Sequence, residues 1–87
     1  MNLKNTTKVM IDDEKIIEAK NHIDSLIGKH VFFYVKEVHK TNPILYEGTV
    51  KQTFDNLFII NQKINKYYSE DKSFTYRDYL TGRIYFK

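Results

Sequence analysis

Eighty-seven residues, with 14 Lys and Arg against 11 Asp and Glu and no cysteine or tryptophan, set narrow bounds on this chain. A single core of this size buries only about 60–65% of the unfolded surface, so two domains would leave neither half stable, and a deep enclosed cavity for a large substrate is not expected. The absence of cysteine excludes disulfides, thiolate zinc sites and a cysteine nucleophile. No apolar run approaches the roughly 18–20 residues of a membrane span, and residues 1–8 lack the apolar stretch of a signal peptide. A cytoplasmic protein with no membrane partner is the expectation.

The charge is +3 and the pI near 9.1, which invites a nucleic-acid partner. The basic residues, however, are 12 Lys and only 2 Arg. Ile, Asn, Lys, Tyr and Phe together supply 42 of the 87 positions and Ala one, as A/T-rich codons and an A/T-rich genome would dictate. Phosphate recognition favours the arginine fork, so the lysine excess carries little weight by itself.

Residues 1–11 show no sustained period and read as a flexible N-terminal arm, followed by one helix-plus-barrel domain over 12–87. Ile16, Ala19, Ile23, Leu26 and Ile27 recur at helical spacing, with Asp12 or Asp13 as cap, Glu14 in the first turn and Gly28 as terminator, so a helix is expected over 12–27. Residues 12–27 carry −3, whereas Lys29 onward carries +4. After Gly28 the period drops to two: Val31, Phe33 and Val35 share one face of a strand over 30–36, and Phe32, Tyr34 and Lys36 the other. A loop over 38–43 leads to a strand in which Ile44, Tyr46, Gly48 and Val50 face one way and Glu47, Thr49 and Lys51 the other, with Gly48 marking a sharp bend.

Phe54-Asp-Asn56 is the next turn, and Leu57–Ile60, apolar on both faces, reads as a central strand lying partly beneath the helix. A polar loop is expected from Asn61 to about Lys66, a fourth strand from Tyr68 to Thr75, a single 3₁₀ turn over 76–80 and a fifth strand from Arg83 to Phe86. The fold class is mainly β with one N-terminal α-helix, arranged as a five-stranded Sm-like or SH3-like small barrel whose closure would remove most strand edges.

Nothing in this pattern assembles a catalytic or metal site. His22, His30 and His39 lie on different elements without metal-ligand spacing, and Asp12-Asp13-Glu14 sits where helix capping wants acid. The three glycines are too far apart to cradle a phosphate, no nucleophile, base and orienting group converge, and no cofactor is expected. Two kinds of contact residue stand out instead. Phe32, Tyr34 and Tyr79, if they cluster in the open, would anchor a protein partner, with lysines steering its approach; the competing placement buries these rings under the helix. Lys36, Lys40, Lys51, Lys63, Lys66, Arg77 and Arg83, interleaved with tyrosines, are candidates for RNA or DNA contact on a barrel surface. Self-assembly through an open strand edge is a third option.

Ile27-Gly-Lys29, then Gly48-x-Val50-x-x-Thr53-Phe54-x-x-Leu57-Phe58-Ile59-Ile60, then Ser73-Phe-Thr-Tyr76-x-Asp78-x-Leu80-Thr81, resemble the Veg family of small bacterial proteins over about residues 24–86. The resemblance implies a helix preceding a small barrel, stimulation of biofilm formation, and antagonism of a transcriptional repressor of matrix genes through protein contact, with no catalytic residues. Where relatives carry a Gly-Gly-Arg-Arg-Lys type loop, this chain has Lys36-Glu-Val-His-Lys-Thr-Asn-Pro43. Gly48, Asp55 and Leu80-Thr-Gly82-Arg83 are also similar to Sm proteins, but Phe58 stands where those place a polar base-holding residue, so this likeness bears on fold alone.

Overall fold

A computed structural model describes residues 12–87; the arm expected over 1–11 lies outside them. Helix α1 runs Asp13–Asp24. Asp12 is its cap: the extended residue's carboxylate accepts the Lys15 N–H at 3.0 Å, and Asp13 and Glu14 add negative charge where the helix dipole is positive. The helix stops three residues short of the expected 27. From Ser25 the backbone tightens: the Leu26 and Ile27 N–H groups donate three residues back, to Ile23 and Asp24. Gly28, at φ +84°, then turns the chain out. Its N–H donates to the Val50 carbonyl at 2.7 Å and the Val50 N–H returns to Lys29, so the helix exit is stitched to a strand.

Five strands follow: β1 His30–Val35, β2 Ile44–Thr53, β3 Leu57–Asn65, β4 Tyr68–Thr75 and β5 Ile84–Phe86, with a short helix α2, Tyr76–Leu80, before the last. All pairs are antiparallel and the sheet order is β4-β3-β2-β1-β5. β2 is the middle strand, and the Leu57–Ile60 segment is interior as expected, paired with β2 on one side and β4 on the other; α1, however, packs on β2 and α2 rather than over that segment. The alternation expected for β1 and β2 is present. Phe33, Val35, Gly48, Val50, Phe58, Ile60 and Ile84 all bury on one face, with Ala19 and Ile23 of α1 and Tyr76 of α2 completing the core.

The sheet curls over this core. Phe33 of β1 and Phe74 of β4 lie three strands apart in the order, a spacing of about 14 Å in a flat sheet, yet their ring centroids are 6.1 Å apart. A register shift between Val50 and Gln52 and the absence of a side chain at Gly48 supply the bend. A Cβ at Gly48 would press into the Asn61 carbonyl oxygen and meet Ile60 Cγ2 at 3.0 Å. The sheet does not close into a barrel: β4 and β5 are its two edges, without pairing between them among the described residues. β5 is only three residues long, and α2 packs against both β4 and β5 where closure would bring them together.

Two further expectations are corrected. The polar run after Ile60 is strand, not loop, because pairing with β4 continues from Asn61↔Asp71 to Asn65↔Tyr68. Gln62 is 7% exposed within it and faces the core side beside Gly48. The 76–80 segment is α-helical rather than 3₁₀. A reciprocal capping box starts it, Thr75 Oγ1 accepting the Asp78 N–H and the Asp78 carboxylate accepting the Thr75 N–H, each at 3.0 Å, and the Thr81 N–H closes an α-type bond to Arg77. Tyr76 is thereby driven inward, its ring 5.7 Å from Phe58 and its hydroxyl donating to the Phe54 carbonyl at 2.5 Å. Burial raises the Tyr76 hydroxyl above its ordinary pKa.

α1 is also tied to β2 by a hydrogen bond from the Thr53 hydroxyl to the Asp24 carboxylate. That bond, with Lys20 beside it, holds the Asp24 pKa below the usual carboxylate range. A carboxylate depressed in the folded state stabilises above its unfolded pKa and loses that contribution as pH falls through the folded value. Chemical unfolding should therefore show stability falling below about pH 4, with a shallower acid loss in Thr53→Val, which lacks the donor. Gly48→Ala should destabilise by about 1–3 kcal/mol through overpacking against the Asn61 carbonyl, read by the same denaturant titration.

Candidate functional site

The face of the sheet turned away from α1 has no covering layer among the described residues. On it the register brings apolar side chains into a row across three strands. Tyr34 of β1 is opposite Leu45 of β2 on one side and Tyr85 of β5 on the other. Phe32 shares that face of β1, two residues back. The Tyr34 and Tyr85 rings stack at 5.1 Å. Phe32 is 44% and Leu45 43% exposed, and Tyr85 is also exposed. Lys36 follows β1 directly, and Lys87 donates its backbone N–H to the Phe32 carbonyl at 2.9 Å, placing two lysines at the ends of the row.

The same face turns polar toward β3 and β4. Glu47, opposite Phe32, accepts from His30 Nε2 at 2.7 Å and is 3.7 Å from Lys63 Nζ. The His30 ring meets Phe32 edge-on at 5.1 Å, joining the charged and aromatic halves. Farther along, Asp71 is held by Lys51 at 2.6 Å and by the Asn61 amide at 2.9 Å, and these bonds lower its pKa. On the other, core-side face of the edge strand, where Glu70 is opposite Gln62 and Lys72 opposite Ile60, Glu70 receives Lys72 at 2.5 Å and the Tyr68 hydroxyl at 3.0 Å. Its pKa is lowered, while those of Lys72 and Tyr68 are raised.

Of the three expected aromatic anchors, Phe32 and Tyr34 lie together on this face and Tyr79 does not. Tyr79 is on α2, stacked on His22 of α1 at 6.1 Å and 6.0 Å from Phe86, so the placement beneath the helix holds for Tyr79 and fails for the other two. Leu45 and Tyr85 complete the row in its place. Their signal was strand alternation: Leu45 lies between the inward Ile44 and Tyr46, and Tyr85 between Ile84 and Phe86.

The seven basic candidates are all exposed but do not converge. Lys36 and Lys40 belong to the β1–β2 loop, Arg77 lines a cleft with Asp13 and Asp55, and Arg83 pairs with Asp78 at 3.4 Å. Lys51 is tied to Asp71. Lys63 and Lys66 share one groove, with Tyr67 and Tyr68 at the β3–β4 hairpin.

A curled antiparallel sheet with helices on its inner side and an aromatic row on its open side defines a small, single-core sheet-and-helix protein. No helix among the described residues is long and apolar enough to cross a membrane. The chain belongs to the VEG family: the family model described as "Biofilm formation stimulator VEG" matches residues 14–87, from the first turn of α1 through β5. Comparison with curated proteins gives no match.

If the row is surface rather than core, Phe32→Ser and Leu45→Ser should each change unfolding free energy by less than about 1 kcal/mol. Phe33→Ala, one residue along on the buried face, should cost about 3–5 kcal/mol. Denaturant titration of the three variants measures the contrast.

Proposed function

We propose that this chain is a non-enzymatic regulator that acts by protein–protein contact in the transcriptional control of biofilm matrix genes. In this reading a transcriptional regulator docks on the row Phe32, Tyr34, Leu45 and Tyr85. The observation that carries it is the row itself: four neighbouring apolar side chains across β5, β1 and β2 on the face opposite the core. Large aromatic anchors surrounded by polar groups are what protein interfaces concentrate, and Lys36 and Lys87 flank the row where they would speed the approach of an acidic partner. The family's description supplies the biological setting.

The chemistry elsewhere agrees with a contact role. The His30–Glu47 pair has no serine or threonine hydroxyl bonded to it among the described residues, so it lacks the nucleophile that such a pair would activate. The scatter of the basic side chains also disfavours a broad phosphate track as the main surface.

The test is complementation. In a host strain lacking this chain, the wild-type protein should restore biofilm mass and matrix-gene transcripts, whereas Leu45→Glu, which places a charge in the row, should restore neither while melting like wild type. Full restoration by a folded Leu45→Glu would exclude the row as the docking surface. Restored biofilm without any change in matrix transcripts would exclude transcriptional control.

A further inference from the structure

Beside the β3–β4 hairpin a groove of about 370 Å³ runs between the hairpin tip and the start of β1, apart from the aromatic row. Lys63, Lys66, Tyr67, Tyr68, Asn65 and His30 are among the residues lining it, and no lining residue is a carboxylate. Tyr67 is 88% exposed and contributes nothing to the core. Its position is nevertheless defined: its N–H donates to Asn65 Oδ1 at 2.8 Å, an Asx turn that shapes the hairpin, and Lys66 Nζ lies 5.5 Å from its ring centroid. A tightly turned hairpin thus presents a free aromatic face and an ammonium side by side.

We infer that this groove binds a short stretch of single-stranded nucleic acid. The ligand must offer a flat π-face to Tyr67, negative charge to Lys66 and Lys63, and polar edges to Asn65 and His30; an unpaired nucleotide run has all three. A duplex hides its base faces and would leave Tyr67 without a stacking partner. Lys63 and His30 both contact Glu47, Lys63 at 3.7 Å. That long, solvent-exposed ion pair is weak enough for Lys63 to turn to a phosphate. Lys51 and Asn61, committed to Asp71, are not needed. The inference does not depend on the protein-contact role of the aromatic row.

The experiment is fluorescence anisotropy of the full chain with labelled oligo(U) and oligo(dT), and with a duplex of equal length, at two salt concentrations. Two phosphate contacts predict about a sevenfold loss of single-strand affinity between about 50 and 200 mM salt, and Lys66→Gln should lower the log–log salt slope by about 0.7. Tyr67→Ala should weaken binding at least about fivefold, whereas Tyr67→Phe, which keeps the ring, should stay within about twofold. Lys40→Gln, the same charge change in the β1–β2 loop, should leave affinity and slope unchanged. Preference for oligo(U) would assign the site to RNA, and equal binding of the two oligomers to either strand chemistry; both support the inference. It is overturned by no single-strand binding at low salt, by a duplex bound as tightly, by a harmless Tyr67→Ala, or by Lys40→Gln being as damaging as Lys66→Gln.

Discussion

The approach of the Phe33 ring to the Phe74 ring across three strand spacings is the contact on which the remaining architecture depends. A flat five-stranded sheet would need a full layer on one side to make a core, and 76 described residues do not supply one. By curling, the sheet becomes much of its own second layer, so that Phe33, Phe58 and Phe74 meet and only α1 and α2 are needed to fill the open side. The bend in turn requires Gly48, where the neighbouring Asn61 carbonyl occupies the space of a side chain.

Concentrating the core on one side has a direct consequence for the other. Every strand that contributes inward residues must present alternate residues outward. The outer face is thus where this small chain can carry recognition without weakening its core. Its two halves differ in chemistry. Phe32, Tyr34, Leu45 and Tyr85 give a row with little conformational freedom to lose on contact, whereas Glu47, Lys63, Lys51 and Asp71 form exposed ion pairs that neutralise one another.

The sequence made most of this frame legible. Helical spacing located α1, period-two alternation placed the inward residues of β1 and β2, and the bounds of β4 were read without error. The failures have particular causes. Asn61, Gln62 and Lys63 look like loop because polarity hides their alternation, and pairing with β4 holds them in the sheet. The segment 76–80 is too short to be stable alone, and the Thr75–Asp78 box plus the burial of Tyr76 make it helical. Element order points to barrel closure, but order does not reveal that α2 and a three-residue β5 leave the edges apart. Exposure could not be read from residue type either: Phe32 and Phe33 are adjacent and identical, and only register decides that one is surface and the other core.

The pairing of β5 with β1 also bears on the order in which the fold can form. Val35 and Ile84 are partners across about fifty intervening residues, while β1 to β4 join through short connections. The β1–β4 meander can close through local contacts, but Ile84 cannot cover Val35 and Phe33 until β5 docks across that long separation. Until then the chain has an unpaired β1 edge and an uncovered end of its core. β5 therefore acts as the latch of the fold, and a chain in which it has not docked offers the β1 edge to another chain.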